Sequence, residues 1–383
     1  MIEPPIIFSF FSGAGFLDLV FESSRYNIAF VNEIFLPFLK AYQYSRRNTN
    51  LPEAKYGYEN CSIEDYLQPD GKTKLADLLR DVRKSSRLVG FIGGPPCPDF
   101  SVGGKNQGQA GDHGRLSATF IELICQQKPD FFVFENVKGL WKTKKHRLFY
   151  EGIKSQVSNS GYLITERLIN AIEYGTPQNR DRIIMIGFLS SLLSENLQNS
   201  QGHNLSFPWE NHTSYSRQKI LSLSWPTVNQ FQEDSQLTCP SDIPPELTIE
   251  YWFRKNDVIN HPNAKNHFIP RTGIKKFAII QEGDDSGKSF KRLHRWRYSP
   301  TVCYGNNEVH LHPYKLRRIS VAEALAIQSL PKYYCLPPDM TLTNMFKAIG
   351  NGVPYLTAYS IAQSILSFLD ISNSGSPLTI EKN

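Results

Sequence analysis

A chain of 383 residues with 40% apolar and 20% charged residues, among them 24 Phe, 18 Tyr and 5 Trp, has ample material for packed cores. Fibrous and intrinsically disordered classes are excluded, and the length predicts two or three domains, or one large domain carrying a smaller one. The 42 Lys and Arg against 36 Asp and Glu leave a formal net charge of +6, which decides little until its placement is known. The six cysteines form no C-x-x-C pair, so neither a zinc ribbon nor a dense disulfide framework is indicated and reduced thiols are expected. The N-terminal stretch lacks a basic leader, and its apolar run from Ile6 to Phe11 is far too short to span a bilayer, so a soluble intracellular protein with no membrane partner is expected.

In chain order, Ile6 to Phe11 reads as a short buried strand. It ends in the small-residue turn Ser12-Gly13-Ala14-Gly15, and a helix follows from Phe16 to Phe21. A second strand, Ile28 to Asn32, ends at Glu33, and a third, Leu88 to Ile92, runs into Gly93-Gly94-Pro95-Pro96-Cys97. Leu116, Phe120, Ile121 and Ile124 lie at helical spacing before Pro129, and Phe131 to Phe134 forms a strand that ends at Glu135-Asn136-Val137. Leu148, Phe149, Ile153 and Val157 predict another helix closed at Gly161, and Ile183 to Phe188 another strand. Strands alternating with helices predict a doubly wound α/β sheet, whose ligands bind beyond the carboxyl ends of the strands. After about residue 190 the alternation stops. A smaller, irregular domain is expected there, until a capping box at Ser320 to Glu323 and a last helix from Pro354 through Phe368 return the chain to the first domain.

Charge is uneven: Tyr251 to Arg318 holds 14 Lys and Arg against 5 Asp and Glu, a net of +9. Within it, Lys291 to Tyr298 interleaves cations with aromatics, which suits phosphate contacts and base or sugar packing, and equally a solvated basic surface. His310 and His312 form an H-x-H pair on one strand face. With no third ligand nearby they are expected to decorate a strand, and no metal is expected.

The turn from Phe11 to Gly15 lets backbone approach a ligand at a helix N-terminus, and Glu33 could accept hydrogen bonds from ribose hydroxyls. Turns of this kind serve NAD, FAD and S-adenosylmethionine enzymes, although Phe16 stands where the dinucleotide fingerprint has its third glycine. More specific is Cys97. Two prolines rigidify its approach and a glycine-rich polar loop follows, the pattern of a nucleophile beneath a lid rather than of a small buried hydrophobe.

Pro96-Cys97, then Glu135-Asn136-Val137, then Gln178-Asn179-Arg180-Asp181-Arg182 resemble, in order and spacing, the motifs of the DNA cytosine-5 methyltransferases of bacterial type II restriction-modification systems. The match extends to Phe11 to Gly15, to Arg317 through Pro331, and to Gly350-Asn351-Gly352-Val353-Pro354, leaving out roughly residues 190 to 295, where that family keeps its target-recognition domain. The resemblance implies a Rossmann-like S-adenosylmethionine-dependent methyltransferase sheet with a smaller, irregular target-recognition domain. Its parts would be a catalytic and cofactor-binding domain over residues 1–189, recognition over 190–315, and a C-terminal segment, 316–383, that rejoins the first.

The same resemblance assigns roles. Cys97 would be the nucleophile that adds to carbon 6 of cytosine, Glu135 would supply a proton or hydrogen bond at ring nitrogen 3, and Arg182 with Arg180 would bind the 2-oxo group. Phe11, Gly13, Gly15, Glu33, Pro96, Leu116, Asn351 and Val353 would hold S-adenosyl-L-methionine, and Ser62 with Ile63 stands where the family usually has an Asp for the adenine. Double-stranded DNA would be met by Ser101 and Lys105 on the loop after Cys97, by Arg115, Gln178, Arg295 and Arg297, with the target base flipped out of the stack. A functional pairing with a restriction endonuclease, a cytoplasmic site in a prokaryote and a monomeric enzyme are implied. The tRNA-methylating branch of the same fold and a catalytically dead DNA-binding relative are the alternatives.

Overall fold

The computed structural model describes residues 3–96, 112–193, 205–270, 274–287, 290–302, 304 and 309–374. Seven strands form one sheet: β1 (Ile6–Phe10), β2 (Asn27–Asn32), β3 (Tyr58–Glu59), β4 (Val89–Gly93), β5 (Phe131–Val137), β6 (Tyr162–Asn170) and β7 (Asp181–Leu189), in the order 3-2-1-4-5-7-6. The first five run parallel. β7 is antiparallel to both β5 and β6. The central strands β1 and β4 are buried along their whole length, as apolar runs covered on both faces must be.

Side chains alternate between two helical layers. Phe8, Phe10, Phe91 and Phe132 face α3 (Pro69–Arg83), α4 (Asp112–Gln127) and α5 (Lys144–Asn159) through residues such as Leu79, Phe120 and Val157. Ile7, Val31, Ile92 and Val133 face α1 (Phe16–Ser23), α2 (Leu36–Asn48) and the last helix, Tyr355–Ser374, through Phe21, Leu39, Ile361 and Ile365. The sheet is therefore an α/β sandwich with helices on both faces, as the alternation of strands and helices predicts. Its antiparallel edge was not legible beforehand. Only ten residues, 171–180, separate β6 from β7, too few for a crossover helix, so the chain turns straight back. β6 itself carries Thr165, Glu166 and Arg167 in its middle and shows no continuous apolar run.

From residue 205 to 320 the described chain holds short helices, Arg217–Leu221, Ile249–Lys255 and Ile274–Ile279, and isolated bridges instead of strands. A third core, with Trp252, Phe253, Leu293, Val302, Leu325 and Phe346, joins this region to Phe16 and Phe38 of the first domain. The capping box is present: Glu323 accepts from the Ser320 N–H at 2.7 Å, and Ser320 Oγ accepts from the Glu323 N–H at 3.2 Å.

Arginine forks take the place of a ladder here. Arg292, fully buried, donates to the carbonyls of Ile280, Phe277, His312 and Lys315. Arg318 donates to Val309 O, and Arg317 holds both carboxylate oxygens of Glu323. His310 and His312, expected to decorate a strand surface, are instead buried on either side of Leu311, because this stretch is interior and His312 faces Glu323 at 3.4 Å. Among the described residues no helix is long and apolar enough to cross a membrane, no group of His, Cys, Asp and Glu is arranged for a metal, and Cys61, Cys125, Cys239 and Cys335 are free thiols.

Burial, with the neighbouring Arg295 and Arg297, pushes His294 down to about 4, against the pull of Glu282, and its Nδ1 accepts the Trp296 N–H at 3.0 Å. A neutral ring is thus built in. A histidine whose folded pKa is depressed contributes stability that is present above about 6.5 and is lost as pH falls toward the folded value. Between pH 6 and 4.5 the wild type is expected to lose about 1.4 kcal/mol per pH unit more than His294→Gln. Urea unfolding of both proteins across that window measures it; parallel pH slopes would count against a neutral buried His294.

Candidate active site

Two clusters of predicted residues gather at the carboxyl end of the sheet. At the first, β1 gives way to Phe11 with φ +53°, and Gly13 and Gly15 follow at +58° and +84°. Three left-handed residues within five fold the chain sharply onto the α1 N-terminus, and Gly15 N donates to Ser12 O at 2.9 Å. A Cβ on Gly15 would lie 2.6 Å from the Tyr42 ring, whereas beside Gly13 there is open space. Glu33, at the end of β2, accepts from Gly13 N at 2.9 Å and Phe35 N at 2.7 Å. Burial pushes its carboxyl up, and those two N–H donors with the charge of Lys347 draw it back. Asn60 holds the same corner by donating to the carbonyls of Glu33 and Ile34.

The open side of Gly13, a carboxylate whose oxygens keep lone pairs for hydroxyl donors, and half-buried Phe11 and Leu116 fit an adenosyl ligand. Ile63 is buried, and Ser62 Oγ caps the short turn Ile63–Leu67 by accepting from Glu64 N at 3.2 Å. Val353 is buried and Asn351 is exposed at the end of the helix Leu342–Asn351. Phe16 also finds its reason. A Cβ on Gly352 would sit 2.1 Å from the Phe16 ring, so the aromatic replaces the usual glycine in order to carry the Gly350–Gly352 segment.

At the second cluster, Glu135 on β5 and Arg182 on β7 meet across the antiparallel ladder, with Arg182 Nε 2.8 Å from Glu135 Oε1 and both side chains largely buried. Arg182 Nη1 also donates to its own neighbour's carbonyl, Asp181 O, at 2.7 Å. Gly94, which the sequence reading passed over, runs beside the pair: a Cβ there would lie 2.9 Å from Glu135 Oε2. Its only signal was the doubled glycine before the prolines. Gly94→Ala is expected to change the melting midpoint little, because the added methyl meets a movable carboxylate, yet to slow methyl transfer by about tenfold or more. Unchanged turnover would show that Glu135 can yield without leaving its working position.

Pro96 is half-buried and ends the described stretch; Cys97, Ser101 and Lys105 lie outside the described residues. Arg115 is exposed and pairs with Glu64 at 3.0 Å. Three expectations need correction. Arg180, expected at the base, is buried and donates to Val302 O, Gly350 O and Gly352 O, so its fork ties main chain together. Gln178 is fully buried, 3.3 Å from Gln328 Oε1, and faces no groove. Arg295, expected on phosphate, is buried against both carboxylate oxygens of Glu282 at 2.8 Å and bonds Ser235. Of the cations in that run, Lys291 and Arg297 stay half-exposed, Arg297 beside Tyr298. Sequence could not separate these arginines, since a cation among aromatics reads alike inside and outside.

The model of the C-5 cytosine-specific DNA methylase family matches residues 6–367. The chain is 55% identical to the type II methyltransferase M.NmeDI of Neisseria meningitidis serogroup C over 95% of this chain and 84% of that protein. It is 31% identical to M.MthTI of Methanothermobacter thermautotrophicus, over 95% and 98% respectively. Among solved structures, a DNA modification methyltransferase encoded within an E. coli prophage superposes with a TM-score of 0.63 at 20% identity, over 96% of this chain and 99% of that one. A Spodoptera frugiperda DNMT2 mutant gives 0.57 at 15%, over 94% and 99%; both likenesses concern the fold. With Glu135 and Arg182 joined beside a glycine turn at the strand ends and the family match running from the first strand to the last helix, the chain is a member of the C-5 cytosine-specific DNA methylases.

Proposed function

We propose that the protein methylates carbon 5 of one cytosine within a short sequence of duplex DNA, using S-adenosyl-L-methionine, and thereby protects a prokaryotic host's DNA from a partner restriction endonuclease in the cytoplasm. The observation that carries the reading is the Glu135–Arg182 pair at 2.8 Å, a largely buried acid and cation of the kind that suits a pyrimidine edge. When bound at the Phe11–Gly15 turn and Glu33, the cofactor supplies an electrophilic methyl group.

The chain's own residues do the rest. The base leaves the stack to reach the pocket, at a cost of a few kcal/mol. The Cys97 thiolate bonds to carbon 6, and Glu135 gives a proton or hydrogen bond to nitrogen 3 as charge builds on the ring. Arg182 holds the 2-oxo group and keeps Glu135 in place. Carbon 5 then takes the methyl group as the methyl–sulfur bond breaks and S-adenosyl-L-homocysteine departs; a base removes the carbon 5 proton, the bond between carbon 6 and Cys97 breaks to return the thiolate, and nitrogen 3 gives its proton back to Glu135. In this reading residues 1–189 are catalytic, 190–315 carry recognition and 316–383 return to the first domain. One target base per centre suits a monomer.

Expression in a host without cytosine-5 methylation, followed by bisulfite sequencing of its DNA, is expected to show methylcytosine confined to one short motif, and none with Cys97→Ala. Unmodified DNA alongside methylated tRNA would favour the RNA branch; turnover by Cys97→Ala would remove the covalent mechanism.

A further inference from the structure

We infer that Asp181 is a positioning residue that couples the region after residue 205 to the Glu135–Arg182 pair; the inference rests on the methyltransfer reading above. Asp181 opens β7 between the two arginines of the motif, and its carboxylate is a junction. Lys138 Nζ reaches Oδ2 at 2.6 Å, while Asn170 Nδ2 at 2.9 Å and Arg217 Nη2 at 2.7 Å converge on Oδ1. Burial raises this carboxyl, but the bonds from Lys138 and Asn170 and the charge of Arg217 outweigh it and hold the group below its ordinary value. It stays ionised between two cations.

Each partner belongs to a different element. Lys138 directly follows Val137, the register partner of Arg182 at the end of β5. Asn170 ends β6 and is the register partner of Asp181. Arg217 starts the helix Arg217–Leu221, in a segment held to the turn Ala171–Tyr174 after β6 by Ser214 N and Tyr215 N on Glu173 O and continued to Asn229, whose backbone bridges Glu282. Glu282 in turn holds Arg295. The Asp181 carbonyl receives Arg182 Nη1, so the orientation of this one peptide sets the guanidinium that contacts Glu135. A shift of the segment carrying Arg217 therefore reaches the catalytic pair through one carboxylate. An ordinary exposed ion pair joins two side chains; this one joins three strands' ends and a helix of the other region.

The test uses the full-length enzyme, S-adenosylmethionine with a tritiated methyl group, and a duplex oligonucleotide carrying the motif mapped by bisulfite sequencing. Asp181→Asn keeps the shape and the amide neighbour but removes the charge. It is expected to lower kcat by about tenfold or more with KM for S-adenosylmethionine unchanged within about twofold. Asp181→Glu should recover part of the loss, and Arg217→Ala should reproduce part of it, with the double variant no slower than Asp181→Asn alone. Should Asp181→Asn fail to fold, Arg217→Ala, whose side chain is one-third exposed, carries the same kcat-against-KM readout. Wild-type-like kcat in Asp181→Asn, or in a folded Arg217→Ala, or fully additive losses, would overturn the coupling while leaving the methyltransfer reading intact. A wild type silent on every DNA would remove both.

Discussion

Glu135→Gln is expected to fold as the wild type does and to transfer methyl groups about 10² to 10⁴ times more slowly. Glutamine preserves the volume beside Gly94 and can donate a hydrogen bond, but it cannot give up a proton, and the addition at carbon 6 places charge on the ring that needs one. The exchange also leaves Arg182, paired through Nε in the native protein, without its counter-charge. Because Glu33 and the Phe11–Gly15 turn make none of these contacts, affinity for S-adenosylmethionine should stay within about threefold, a small difference on the free-energy scale. Single-turnover transfer and equilibrium dialysis separate the two quantities. A rate within threefold of wild type would take the acid role from Glu135.

Arg180→Met is expected to reduce the unfolding free energy by about 3 kcal/mol or more, since three main-chain carbonyls lose a charged donor in a buried setting and each such bond contributes about 1.5 to 3 kcal/mol. Two of the three carbonyls belong to Gly350 and Gly352, so the segment resting on Phe16 loosens and KM for the cofactor should rise with the loss of stability. Denaturant unfolding and cofactor KM measured on one preparation decide it. A protein of native stability with only kcat lowered would return Arg180 to the base, the role that the resemblance implied.

Much of this was readable in the residues alone. The parallel half of the sheet announced itself because β1, β4 and β5 are mostly apolar runs, each ending at a polar or glycine cluster. The antiparallel half did not, because an apolar run reads the same in either direction and β6 is an edge strand with polar residues in its middle. Glu135 and Arg182 were legible through motif spacing, and the register that opposes Val137 to Arg182 puts them in reach. Arg180 and Arg182 were not distinguishable: they lie two apart in one five-residue motif, a spacing that strand alternation would put on one face, yet Arg180 precedes β7 and ties main chain together while Arg182 lies within the strand and meets the acid. The charge excess misled for a related reason. Arg254, Lys315 and Arg317 are cancelled by Glu250, Asp234 and Glu323, all outside the window in which the excess was counted.

The forks of Arg180, Arg292, Arg295 and Arg318 give the strand-poor region something close to rivets. A ladder fixes every residue along its length, whereas a guanidinium pins a few carbonyls and leaves the chain between them free to change. Under the proposed recognition role, exposed segments between the pins can vary in length and sequence while the buried residues stay, which is what reading new DNA words would demand. Anyone grafting a different specificity onto this scaffold should therefore keep the pins and exchange the spans, and should expect lysine, a point charge without the planar fork, to be no substitute at any of them.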